Sequence, residues 1–317
     1  MLPPSLLAAS EDLVRIPYGA GSSSSEVATV DDVIAGAALL RREACARAAA
    51  LRSGSASADE SEQEAEESED EQQQWLSLRV RRPAAAEVAG SIGGKLWDAS
   101  LLMSAWLLEN PSLLQPAGCR TPRVLEIGAG LGLVGLAVAR ALPDARITMS
   151  DYDPAVLRNL GESIRLNFAG AAPAAPAAAL VDFRDFCEVD VAALPHLPPA
   201  SPLCRYEGLL GSFDVVIGSD IVYDHSHARI AALLRAMLRP AANGSADSHP
   251  CALFVLPDGR PRQADFVASL GAAGLRCRIE RVGRDCLMCR RIAREHEGWG
   301  ADASFSIYKV HRAAQQS

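Results

Sequence analysis

Residues 124–132 read Val124-Leu125-Glu126-Ile127-Gly128-Ala129-Gly130-Leu131-Gly132. A short apolar run of strand character ends in an acid and then in three glycines spaced two apart. Glycine lets a chain turn sharply and lets another molecule approach the backbone without a Cβ in the way. The apolar stretch that follows, Leu131 to Leu142, has helical length. A strand, a glycine turn and a helix in that order form the opening unit of an open α/β sheet. Such sheets bind ligands at the carboxyl ends of their strands. A dinucleotide fingerprint G-x-G-x-x-G would need its third glycine at position 133, where this chain has Leu133. The Glu126 carboxylate also disfavours a pyrophosphate at the turn and favours a ligand that carries ammonium and sulfonium charge.

Two further strand ends repeat the pattern. Ile147-Thr148-Met149-Ser150-Asp151 closes on an acid able to accept hydrogen bonds from both hydroxyls of a ribose. Tyr152 follows, positioned to lie against an adenine, and Asp153 precedes Pro154 as a helix cap. Phe213 to Gly218 is a third buried strand, ending in Ser219, Asp220 and, three residues later, Tyr223. A carboxylate and a phenol are thereby expected on the same sheet edge.

Outward from these motifs the chain alternates strands and helices. Helices are expected at Trp97–Leu108, Leu131–Leu142, Pro154–Asn167, His227–Leu238 and Pro261–Ala273. Strands are expected at Trp75–Val80, Arg123–Ile127, Arg146–Ser150, Phe213–Gly218, Cys251–Leu256, Arg276–Val282 and Ser304–His311. This order implies a Rossmann-like α/β fold: a seven-stranded, mostly parallel sheet with helices on both faces. The segments Ala169–Ala179 and Pro195–Gly211 read as surface loops. Residues 1–74 read as an N-terminal extension, with a helix at about Val30–Leu51, and residues 75–317 as the α/β domain. Within the extension, residues 53–74 are Ser, Glu and Gln with nothing apolar larger than Ala. Such a composition cannot offset its ordering entropy, so this stretch is expected to be a disordered linker.

The net charge of −8 resides in that linker. It holds nine acidic residues and no Lys or Arg, and without it the chain carries +1. A near-neutral remainder gives no general attraction to nucleic acid. Arginine is locally dense, however: seven lie between Arg276 and Arg294 against Glu280 and Asp285, a local charge of +5. The ordinary reading is a solvated face; the sharper one is a docking face for an acidic protein, because the guanidinium fork pairs bidentately with carboxylates. No apolar run reaches the ~18 residues of a membrane helix, and the first ten residues lack the basic start of a secretory signal. Eight scattered cysteines do not form a disulfide framework and suit a reducing compartment, the cytoplasm with the nucleus as the alternative. Cys286 and Cys289 form a CxxC, but the second ligand pair of a zinc site is missing, so no metal is expected.

Read together with Gly94-Lys95-Leu96-Trp97-Asp98-Ala99-Ser100, these motifs resemble methyltransferase family 16, a group dominated by protein-lysine methyltransferases. The likeness runs over roughly residues 75–315. It rests on the W-D-A element, the E-x-G-x-G-x-G loop, the acid after the next strand and the D-x-x-Y turn. The resemblance implies S-adenosyl-L-methionine as methyl donor, held by Trp97, Gly128, Ala129, Gly130, Asp151 and Ser219. It implies that Asp220 and Tyr223 border a substrate-lysine channel on a monomeric enzyme with a protein substrate. Where the family often places an adenine-contacting Trp, this chain has Phe186-Cys187-Glu188-Val189-Asp190. Asp190 is the expected substitute, accepting from the adenine amino group. Glu126 and Tyr152 complete the expected donor site. Three alternatives stand beside this reading: a nicotinamide oxidoreductase, a small-molecule or nucleic-acid methyltransferase, and an inactive cofactor-binding module acting through protein contacts.

Overall fold

The computed structural model describes residues 10–18, 25–28, 74–84, 87, 91–116, 119–169, 175–186, 201–223, 226–240, 250–300 and 303–312. The helix expected at Val30–Leu51, the acidic stretch up to residue 73 and Asp190 lie outside them.

Ten strands and six helices organise the described residues. In chain order they are β1 (Ser10–Tyr18), β2 (Ser25–Ala28), β3 (Gln74–Arg82), α1 (Asp98–Glu109), β4 (Arg123–Ile127) and α2 (Leu133–Ala141). Then follow β5 (Arg146–Asp151), α3 (Pro154–Phe168), β6 (Ala177–Leu180), β7 (Val215–Ser219) and α4 (His227–Met237). The chain closes through β8 (Cys251–Pro257), α5 (Gln263–Ala272), β9 (Leu275–Val282), α6 (Leu287–Glu295) and β10 (Phe305–Arg312).

The main sheet has the order β2-β9-β10-β8-β7-β4-β5-β6. β8, β7, β4, β5 and β6 are mutually parallel, whereas β10 is antiparallel to both β8 and β9. Six of the seven expected strands lie in this sheet; the expected Trp75–Val80 strand is β3, which pairs with β1 in a separate two-stranded sheet, and β6 and the short edge strand β2 complete the eight. From β4 the chain steps to β5 on one side and later returns to β7 on the other, so β4 is the switch point where an open sheet forms its crevice.

Both faces of the sheet are buried, and the strands sort their side chains by alternation. Along β4 and β7, Val124, Val215 and Ile217 join one apolar cluster with α1 and α2. Leu125, Ile127 and Val216 join the other, with α4 and α5. This two-sided burial explains the continuous apolar runs of Val, Ile and Leu.

Three sequence expectations change. Ala177–Leu180 is a strand, not loop: it pairs with β5 at an edge where its side chains are mostly exposed and small, so it carried no apolar signature. Within Pro195–Gly211, Leu203 and Tyr206 sit on a 3-10 turn and are 2% and 1% exposed. The Tyr206 ring stacks on Phe186 at 5.2 Å. The third change concerns the residues before 75. β1 runs antiparallel to β3 over nine residue pairs, with Val14 opposite Leu78 and Ile16 opposite Leu76. Val14, Ile16, Leu78 and Val80 are buried in the cluster that holds α1 and α2. Residues 10–18 are thus packed on the domain and not set apart from it. The strand signal is locally weak: Ser10–Tyr18 carries Glu11, Leu13 and Arg15 on its exposed face, and on the other face the half-buried Asp12 beside Val14 and Ile16.

Candidate active site

The cavity lies over the carboxyl ends of β4, β5 and β7, has a volume of about 370 Å³, and is closed at the side by the segment leading into α1. A pocket of that size falls in the range that holds small organic ligands.

Its floor is the glycine loop. Gly128, Gly130 and Gly132 all have positive φ. At Gly130 (φ +53°) a Cβ would lie 3.1 Å from the Gly93 carbonyl, so that position needs glycine for both conformation and space. The loop is fastened from behind: the Ala129 amide donates to the Ser150 carbonyl at 2.8 Å, and the Gly130 amide to Asp151 Oδ2 at 3.1 Å. Glycine and Asp151 therefore act as one unit. Asp151 is 6% exposed, and its Oδ1 accepts the Asp153 amide at 3.2 Å. Burial pushes its carboxyl above the usual range, against the pull of those backbone N–H groups.

Glu126 does not line the cavity, which corrects the expectation of direct ligand contact. Alternation along β4 turns it to the face opposite Leu125 and Ile127, beneath the loop. Its Oε2 accepts the Gly135 amide of α2 at 3.0 Å, and a side chain at Gly135 would collide with that oxygen. Burial pushes the Glu126 carboxyl up to about 8. Its role in the fold is to tie the glycine loop to the first turn of α2. Leu133, 2% exposed where a third dinucleotide glycine would stand, opposes a pyrophosphate at the loop.

Tyr152 lines the cavity with 43% of its surface exposed, and the Arg184 guanidinium sits 5.7 Å from its ring. Phe183, on the turn after β6, lines the same end. Phe183 was not among the expected site residues, Asp190 being the expected adenine contact; nothing local separates Phe183 from Phe186, which tertiary packing buries fully against Tyr206. The motif Asp182-Phe183-Arg184-Asp185-Phe186 held the signal in its first aromatic.

The side wall comes from Ile92 to Ser100. Trp97 is the N-cap residue of α1; its indole N–H donates to the Ile92 carbonyl at 3.2 Å, and Lys95 Nζ lies 4.8 Å from its ring. Asp98, next in line, accepts the Gly300 amide at 3.1 Å on Oδ2.

The remaining rim is the turn after β7. Ile221 and Val222 are 3% and 1% exposed and anchor it in the second cluster, which leaves Ser219, Asp220 and Tyr223 at the cavity. Asp220 has φ +48°, a left-handed conformation that a non-glycine residue adopts at a cost of roughly 1–3 kcal/mol. Its amide donates to the Val255 carbonyl at 3.0 Å, which holds the turn on β8. Arg260, from the loop after β8, donates through Nη2 to Asp220 Oδ2 at 2.6 Å. Asp220 Oδ1 and Arg260 Nε are buried without a hydrogen-bond partner. Burial raises the Asp220 carboxyl above its ordinary range, and Arg260 pulls it the other way. Arg260 was not singled out from sequence, because nothing local links it to a residue 40 positions earlier.

Of the expected site residues, Trp97, Gly128, Ala129, Gly130, Asp151, Tyr152, Ser219, Asp220 and Tyr223 meet around one cavity. Among the described residues no group of three or more His, Cys, Asp or Glu could hold a metal ion, and no helix is long and apolar enough to cross a membrane.

Residues 82–184 match the family model described as lysine methyltransferase. The human protein-lysine N-methyltransferase EEF2KMT is 30% identical over 196 residues, which cover 60% of this chain and 53% of that protein. The mouse EEF2KMT is 33% identical over 134 residues, 42% of this chain and 36% of the relative. The protein N-terminal and lysine N-methyltransferase EFM7 of Cryptococcus neoformans is 29% identical over 168 residues, 52% of this chain and 50% of the relative. The chain spans about half the length of the human and Cryptococcus relatives. Residues 82–184, which carry the α1 wall, the glycine loop, Asp151 and the Phe183 turn, are the part of this chain that is similar to the lysine methyltransferase family.

Proposed function

We propose that the chain is an S-adenosylmethionine-dependent methyltransferase acting on protein lysine. The observation that carries this reading is the convergence, on one cavity, of a Cβ-free glycine cradle, the Asp151 carboxylate and the Asp220–Tyr223 turn from three neighbouring strand ends. The relatives' names, each including a lysine N-methyltransferase, support it.

The residues fit the donor. The Gly128–Gly130 backbone leaves room for its methionine part, and Asp151 retains lone pairs beside two backbone donors for the ribose hydroxyls. Tyr152 and Phe183 flank the end where an adenine would stack, and Trp97 and Ser219 close the remaining sides. The donor supplies an electrophilic methyl group on a sulfonium centre.

The chain's own work is to present a neutral amine. Free lysine has a pKa of about 10.4, so only about a thousandth is neutral near pH 7.4. A lone buried carboxylate would hold the incoming amine as ammonium. Arg260 offsets the Asp220 charge, leaving Oδ1 as an acceptor that can orient an N–H without clamping a cation. Asp220 is then an orienting group and not a base that takes the proton, which leaves to water. Alignment supplies most of the acceleration.

The same proposal extends to the partner: an acidic protein docking on the arginines of β9 and α6, with the enzyme monomeric and cytoplasmic. Arg276, Arg278, Arg290 and Arg294 are exposed, with Arg290 and Arg294 one helical turn apart. Arg291 is 3% exposed and is no part of that face. Incubation with labelled methyl donor and a proteome extract tests the activity; label on lysine of a discrete band is expected, and label on nucleic acid or small molecules, or none, overturns it. Charge reversal at Arg290 and Arg294 should raise KM for an acidic acceptor several-fold at low salt, with donor affinity unchanged; an unaltered KM removes the docking face.

A further inference from the structure

Away from the cavity, the CxxC of Cys286 and Cys289 opens α6. Cys286 is the N-cap residue, and its sulfur accepts the Cys289 amide at 3.5 Å. The two side chains are therefore neighbours on the first helical turn, where residues three apart hold their Cβ atoms roughly 5–6 Å from each other. Bridged Cβ atoms stand about 3.5–4.5 Å apart, so closing a disulfide there needs the first turn of the helix to tighten by about 1–2 Å together with rotation of the two side chains. The two thiols differ in surroundings. Cys286 is half-buried, whereas Cys289 is 3% exposed and packed with Met288, Ile292 and α1 in the first core cluster.

Charge follows the same division. The hydrogen bond from the Cys289 thiol, the Cys289 and Met288 backbone amides and the Arg290 charge hold Cys286 well below the ordinary thiol range, against its partial burial. The same contact pushes Cys289 up. Glu109, at the end of α1, faces the pair and is itself raised to about 7 by burial, with Arg291 opposing and Cys286 reinforcing that shift. Asp285 and Arg290 complete the surrounding charges, the latter bound to the Asp285 carbonyl at 2.9 Å. A low-pKa, accessible thiolate beside a second, buried thiol is the arrangement of an attacking and a resolving cysteine.

We propose that Cys286 and Cys289 form a redox-active dithiol that low-molecular-weight disulfides of the glutathione type oxidise to an intramolecular disulfide, with Cys286 attacking and Cys289 resolving. The Cys286 thiolate attacks one sulfur of glutathione disulfide, the S–S bond breaks, and one glutathione thiolate leaves. Cys289 then loses its proton and attacks Cys286 Sγ, expelling the second glutathione. Two protein thiols are oxidised and one glutathione disulfide is reduced to two thiols. The site stands independently of the methyl-transfer reading. The chain beyond α6 runs on to the cavity wall, where the Trp299 indole donates to the Asp98 carbonyl at 3.1 Å and the Gly300 amide to its carboxylate.

The test uses the native full chain in a series of glutathione redox buffers at pH 7, quenched in acid and mapped by mass spectrometry. A disulfide between Cys286 and Cys289 is expected, and Cys286 should alkylate at least ~10-fold faster than half-buried Cys119 and Cys204. Cys289→Ala should halt at a glutathione adduct on Cys286. Cys286→Ser, which keeps a good helix cap, should leave Cys289 unmodified, with its fold checked by circular dichroism. Alkylation of Cys286 within twofold of the other two, or adducts that never resolve in the unsubstituted chain, would overturn the proposal.

Discussion

The two rims of the cavity are built from different material. The rim after β4 is backbone: a glycine loop held by hydrogen bonds from amides to Ser150 and Asp151, with Glu126 fastening it from below. The rim after β7 is side chain: a strained Asp220, held by Val255 beneath and neutralised by Arg260 from a different loop. A backbone rim accepts many side chains around it but no Cβ at its glycine positions. A side-chain rim depends on one charge balance. The first should fail through binding and the second through turnover, and that division can be broken.

The largest expected effect is at the second rim. Asp220→Ala should lower turnover by about 10²-fold or more through lost orientation, with donor affinity nearly unchanged. Asp220→Gly should lose as much activity while melting no lower than the alanine variant, because glycine relieves the left-handed strain. Proportional loss of melting temperature and activity in both would reduce Asp220 to a packing residue.

A chain starting at Gln72 tests whether the two rims rest on a shared base. It lacks the short edge strand β2 and also β1, and with β1 Val14 and Ile16, each contributing roughly 1.5–3 kcal/mol when fully buried. It should be less stable by several kcal/mol of that order, read as a lower midpoint of denaturant unfolding. An unchanged midpoint would mean that β1 only lies on the surface.

Gly130→Val strikes the backbone rim. The branched side chain meets the Gly93 carbonyl and an unfavourable φ, so donor affinity by calorimetry should fall at least tenfold, about 1.4 kcal/mol. Asp220→Ala in the same assay is the control; if both lose affinity equally, the two rims are not separate.

The smallest effect is a pH dependence beneath the first rim. Glu126 is raised to about 8 in the folded protein, well above its unfolded value near 4.3. The folded state binds its proton more tightly, so this stability is fully present below about pH 4 and is lost as pH rises through about 8. Glu126→Gln keeps an acceptor for the Gly135 amide and has no charge to bury. Between pH 6 and 9 its melting temperature should decline less than that of the unsubstituted chain, and parallel declines would place the Glu126 titration elsewhere.

The backbone rim was legible from sequence because its determinants are contiguous. Three glycines at alternate positions after an apolar run force a turn whatever surrounds them, and the apolar runs 123–127 and 251–256 give their strands directly. Asp151 and Asp220 were readable as strand-end acids for the same reason. Glu126 was assigned to the ligand because the motif shows that an acid is present but not which face it takes; the alternation of a two-sided sheet decides that. Phe183 and Phe186 differ only in what packs on them. Arg260 and β1 were invisible, since an ion pair over 40 residues and a strand pairing over 56 to 72 leave no local trace.

By itself, then, the sequence determined the order of strands and helices, the sharp loop after β4 and the acids at strand ends, all consequences of local conformational preference and periodic burial. Only the tertiary structure decided which acids reach the cavity, which aromatic flanks it, that Arg260 neutralises Asp220 and that residues 10–18 cover the core. Those depend on free energies between distant side chains, Coulombic at Asp220 and hydrophobic under β1, which arise only when packing brings the partners together.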